Sequence, residues 1–86
     1  MRYAVHCYHR YVENVHSSFA METDNYSEVE EEAKNEAIEL VQSYGPFMEK
    51  LWKIASNCFT NEDDINDCYM NLVDECAGYE IIPMEG

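Results

Sequence analysis

Positive charge is what this sequence has least of. Lysine and arginine together number 5, against 18 aspartates and glutamates, and the formal net charge is -13 at pH 7. A chain so poor in cations has no basic patch for phosphates, so direct binding of nucleic acid or of an anionic membrane is not expected. Glycine (3) and proline (2) are also too few for a linker-rich or low-complexity chain. No run approaches the roughly 18 apolar residues that a membrane span needs. The opening Met1-Arg2-Tyr3-Ala4-Val5-His6 has neither the apolar core nor the cleavage site of a signal peptide. The expectation is a soluble, cytoplasmic protein with no membrane partner. In that setting Cys7, Cys58, Cys68 and Cys76 are expected as reduced thiols rather than as two disulfides.

What is present suffices for one small domain spanning residues 1–86. Charge alone would argue for disorder, but seven Tyr, three Phe and one Trp supply the material of a core. Residues 2–12 and 15–22 alternate as strands, with Glu13-Asn14 between them and Asn suited to a tight turn. A two-residue loop would place Ala4, His6 and Met21 on one face. A three-residue loop places Tyr3, Val5, Cys7, Phe19 and Met21 together, and this more apolar set is the expected core face.

Asn25-Tyr26-Ser27-Glu28 reads as a capping box opening a helix that runs to about Tyr44. Tyr26, Val29, Ala33, Ala37, Leu40, Val41 and Tyr44 fall on one side of it. Gly45 and Pro46 separate it from a second helix, whose wide apolar face is Phe47, Met48, Leu51, Trp52, Ile54, Ala55, Cys58 and Phe59. Thr60-Asn61-Glu62-Asp63-Asp64 caps a third helix burying Ile65, Cys68, Tyr69, Leu72, Val73 and Cys76, and Gly78 is its expected stop. Residues 79–82 read as a last short strand, with Pro83 placing it at an edge or ending it. The order β-β-α-α-α-β predicts an α+β fold, a three-stranded antiparallel sheet packed against helices.

The chemistry-bearing residues are mostly carboxylates. Glu28, Glu31, Glu32, Glu36 and Glu39 share an arc of about 140° on the first helix and span roughly 16 Å, about one charge per 4 Å. One DNA strand carries a phosphate per about 3.4 Å. Asp63, Asp67 and Asp74 form an outward strip on the third helix. Such a surface is suited to a Lys/Arg-lined groove that otherwise holds nucleic acid, since such grooves are positioned by charge. The ordinary reading of each acid is a solvated face. Simple solubility, however, needs a net charge of only about 2–8 in a small domain.

His6, Cys7, His9 and His16 lie near one another in the hairpin, but His6 and His9 point to opposite faces, which does not suit a tetrahedral metal site. Cys58, Cys68 and Cys76 fall on apolar helix faces and are expected buried. Asp63-Asp64-Ile65-Asn66-Asp67 lacks the central Gly and closing Glu of a calcium loop. Tyr3, Tyr8 and Tyr11 offer a second contact surface, with ordinary strand packing as the simpler reading. No catalytic residue, metal or cofactor is implied.

Ser18-Phe19-Ala20-Met21-Glu22-Thr23-Asp24, leading from a hairpin into a Glu-rich helix and ending in a late strand, resembles the small acidic phage-borne inhibitors of bacterial defence, the anti-CRISPR proteins in particular. The resemblance is one of type and covers the architecture of the whole chain. It implies a non-enzymatic inhibitor whose acids imitate phosphates. The implied partner is a basic nucleic-acid-binding protein such as a CRISPR–Cas effector, met in the host bacterial cytoplasm. The alternative is an interaction module whose acidity serves only solubility.

Overall fold

The odd-numbered residues of the opening strand are apolar or aromatic, and they build the core face of the sheet. In the computed structural model, which describes residues 1–84, β1 (Arg2–His9) and β2 (His16–Glu22) form an antiparallel hairpin. Tyr3 lies opposite Met21, Val5 opposite Phe19 and Cys7 opposite Ser17. Tyr3, Val5, Cys7 and His9 are buried, and Phe19 and Met21 pack beside them. The expected face is therefore correct, but the connection is longer than a three-residue loop. β1 stops at His9 rather than at residue 12. The backbone N–H of Arg10 continues the β1–β3 ladder by donating to the Cys76 carbonyl (2.8 Å), and its Nε donates to the Ala77 carbonyl (3.1 Å). Asn14 turns the chain at φ 67, a left-handed conformation that its short polar side chain tolerates.

α1 (Tyr26–Gln42) starts where Asn25 Oδ1 accepts the Ser27 N–H at 3.0 Å. Glu28 does not close the expected capping box. Its carboxylate accepts the Thr23 hydroxyl (2.9 Å), and the Thr23 oxygen in turn accepts the Asn25 N–H (3.1 Å). The helix buries Val29, Ala33, Ala37 and Val41 and packs on β1 and β3. The two alanines allow close approach, and the Cys7 thiol donates to the Ala33 carbonyl at 3.5 Å. Tyr26 and Tyr44, expected on this face, are exposed. α1 ends two residues early, where Ser43 N–H returns to the Glu39 carbonyl and its hydroxyl to that of Leu40.

α2 (Gly45–Cys58) carries Pro46 in its first turn, where a missing N–H costs nothing. α3 (Glu62–Cys76) is capped by Asn61, whose Oδ1 accepts the Asp63 N–H at 2.8 Å. β3 (Ala77–Met84) follows α3 without a turn, so Gly78 lies in the strand and is not the helix stop. β3 pairs antiparallel with β1, giving the strand order β2-β1-β3. Pro83 sits on an edge strand, where no ladder bond is lost.

The result is an α+β fold with a three-stranded antiparallel sheet and three helices. Its outline is long and thin, 52 × 26 × 14 Å. α2 packs chiefly on α3 and touches α1 little, so the pair extends from the body as a two-helix arm. Its apolar stripe is accordingly wider than its cover. Leu51 and Ala55 are buried, while Trp52, Ile54, Cys58 and Phe59 are exposed.

Candidate acidic interface

The outward side of α1 is set by its inward side. Val29, Ala33, Ala37 and Val41 face the sheet, so the helical period directs Glu28, Glu31, Glu32 and Glu39 to solvent, where all four are exposed. Glu36 is only half-buried, at the margin of the packed face. It lies near enough to Cys7 that its charge adds to burial in raising the thiol pKa. Among the described residues the ion pairs are the Met1 amino group with Asp24 (3.2 Å) and Lys34 with Asp74 (3.6 Å). The α1 glutamates therefore stand without cationic partners.

Asp63 and Asp67 on α3 are likewise exposed and unpaired. Asp74 departs from expectation. It is exposed, but Lys34 of α1 is its ion-pair partner, so part of its charge is spent within the molecule. Exposed pairs of this kind stabilise by about 0–1 kcal/mol. The structure thus brings together the four exposed α1 glutamates as one row, holds Asp63 and Asp67 as a separate pair on α3, and ties Asp74 to α1.

Two features of the arm were missed by sequence reasoning. Asp64, Asp67 and Glu75 rim a groove of about 280 Å³ whose floor is Phe59, Cys68 and Leu72. The signal was available, because Asp64, Cys68, Asn71, Leu72 and Glu75 recur at helical spacing along one stripe. A second hollow of about 400 Å³ is lined by Met48, Glu49, Trp52, Lys53 and Tyr69. The Trp52 and Tyr69 rings meet edge-on there at 5.3 Å.

The other candidates are dispersed. Tyr3 is in the core, Tyr8 is on the opposite sheet face, and Tyr11 is exposed in the loop with its ring parallel to Phe47. They form no common surface. His6 and His16 face each other across β1 and β2, with ring centres 5.6 Å apart. His9 lies in the core against Phe47. Among the described residues no group of three or more His, Cys, Asp or Glu converges for a metal ion. Cys7 and Cys76 are buried and Cys68 half-buried, but Cys58 is exposed, contrary to expectation, because the α2 stripe outruns its cover. Burial raises the pKa of Cys7 and Cys76, the opposite of an activated thiolate. No helix among the described residues is long and apolar enough to cross a membrane.

Compared with protein-family models, curated proteins and solved structures, the chain matches none.

Proposed function

We propose that this chain is a non-enzymatic inhibitor that binds the basic, nucleic-acid-binding surface of a target protein, of which a CRISPR–Cas effector in the bacterial cytoplasm is the type. The observation that supports this reading is the α1 row. Glu28, Glu31, Glu32 and Glu39 are exposed, lie on one rigid helix and lack cationic partners. At about 1.5 Å rise per residue the four charges span roughly 16 Å, about 5 Å apart on average with a gap of about 10 Å between Glu32 and Glu39, a sparser row than the phosphates of one nucleic-acid strand at about 3.4 Å. A rigid helix also presents them without the ordering cost of a loop. Lys- and Arg-lined grooves would receive the row in place of phosphates.

The test is capture of the target from a nuclease-treated bacterial lysate, followed by competition with duplex DNA. Displacement of the DNA, weakening as salt rises, is the expected result. A variant with Glu28, Glu31, Glu32, Glu36 and Glu39 all changed to Gln should lose that competition. Undiminished competition by this variant would remove α1 from the mechanism.

One observation favours the alternative reading, an interaction module whose acidity serves solubility. Trp52, Ile54, Phe59 and Met70 are large apolar side chains left exposed on the arm. Under that reading the arm makes the contact, and the five-Gln variant keeps its partner.

A further inference from the structure

The open face of the sheet carries two of the chain's three histidines. Tyr3, Val5, Cys7 and His9 are buried on the helix side, so strand parity turns His6 and Tyr8 to the other face. His16 lies opposite Tyr8 on β2, one diagonal step from His6. The register therefore puts both imidazoles on one side of the hairpin, with ring centres 5.6 Å apart. Two imidazoles bound to one zinc ion at about 2.0–2.1 Å, with a tetrahedral angle between them, have ring centres about 5 Å apart. The pair already stands at nearly that separation.

An acid completes the neighbourhood of His6. β1 is the central strand, and His6 is opposite Ser18 on β2 and Glu80 on β3. Opposite residues on one sheet face have Cβ atoms about 4.5–5.5 Å apart. His16 and Glu80 are exposed and His6 is half-buried, so an ion can reach all three from solvent. Among the described residues Glu80 has no cationic partner. Its carboxylate stands apart from the two rings, and a turn of its long side chain brings it to them.

We propose that His6, His16 and Glu80 bind one zinc ion on the open face of the sheet, with water in the fourth position. Two imidazole nitrogens and a glutamate oxygen form an established zinc donor set. Each strand supplies one ligand, so the ion ties the edge strand β2 across β1 to β3. The net charge of -13 favours the approach of a cation. Tyr8, its ring centre 5.7 Å from that of His6, walls one side of the site. Cys7 and His9 face the core and take no part. The site uses none of the α1 glutamates and is independent of the function proposed for them.

Calorimetric titration of the untagged protein with zinc should show one saturable site per chain. Followed by NMR, the ring signals of His6 and His16 should shift, whereas those of His9, packed on Phe47 in the core, should stay. Zinc should also raise the melting temperature, since the folded sheet gathers the ligands and the unfolded chain does not. His16→Asn, at an exposed position, should abolish all three effects with circular dichroism unchanged. Glu80→Gln should weaken binding several-fold. Cys58→Ser, which removes the exposed thiol of the arm, should leave binding as it is. A chain without saturable zinc binding overturns the proposal. So does binding that is indifferent to His16→Asn or to Glu80→Gln, or that is lost with Cys58→Ser.

Discussion

The ring of Tyr8 lies across the backbone of Gly78, its cross-strand partner in the β1–β3 ladder. A Cβ at residue 78 would overlap the ring edge. Gly78 does not adopt a positive φ, so the position needs glycine for space. The ring in turn covers a strand glycine that has no side chain to pack, as aromatics do when they rescue glycines in sheets.

Gly78→Ala is accordingly expected to destabilise the fold by about 1–3 kcal/mol, the usual cost of overpacking. The lower end is expected, because Tyr8 is half-buried on the open sheet face and can swing aside, losing its contact with His6. Tyr8→Ala removes the obstruction, so the double variant should cost less than the two singles combined, by about 0.5 kcal/mol or more. Urea denaturation of the four proteins measures this, and strict additivity would refute the coupling.

His9 makes stability depend on pH. The Tyr11 N–H donates to its Nδ1 at 3.1 Å, and Nε2 is buried without a hydrogen-bond partner. Burial lowers its pKa from the ordinary 6.5. Above that value both states hold neutral imidazole. Below it the unfolded chain takes up a proton that the folded chain refuses, so His9 lowers stability as pH falls from 6.5 through the depressed folded value. His9→Phe removes the titrating group from a site already lined by Phe47 and Tyr44. Denaturation midpoints on either side of neutral should show a shallower acid decline for the variant. Parallel curves would place the decline elsewhere.

The thiols should divide by position. Cys58 is exposed, and Cys7 and Cys76 are buried with raised pKa values. Pulse alkylation of the native protein, read by peptide mass spectrometry, should label Cys58 first and Cys68 more slowly. Cys7 and Cys76 should be labelled only on unfolding. Early labelling of Cys7 would mean that α1 opens readily from the sheet.

Salt should stabilise this fold. Among the described residues two ion pairs stand against a large excess of acids, so screening relieves more repulsion than attraction. The melting temperature should rise from low to moderate salt. The five-Gln variant of α1 should melt higher than wild type at low salt and depend on salt less. Its helix propensity is nearly unchanged, and an amide oxygen at residue 28 can still accept the Thr23 hydroxyl. A lower melting temperature for this variant would show that the glutamates are internally stabilised.

Local pattern was legible where it depends on local geometry. Asn25 and Asn61 cap α1 and α3 as expected, because a cap concerns a side chain and an N–H two residues on. Val29, Ala33, Ala37 and Val41 are buried because the helical period puts them on one side whatever packs there. The set Tyr3, Val5, Cys7, Phe19 and Met21 shares a face because strand parity survives a change of loop length by two. The exposure of Glu28, Glu31, Glu32 and Glu39 follows from the same period.

The tertiary structure decided what distant segments do to one another. Arg10 is held by the Cys76 and Ala77 carbonyls, from the far end of the chain, because the β1–β3 register continues past His9. Asp74 is paired because α3 crosses beside Lys34. Tyr8 and Gly78 meet because β1, not β2, is the central strand. Trp52, Cys58 and Phe59 are exposed although the α2 stripe reads as core. A stripe of apolar residues records which side of a helix gains from burial. Whether it is covered depends on how much other chain is near, and 86 residues arranged as a sheet, one helix and a projecting arm leave that side open.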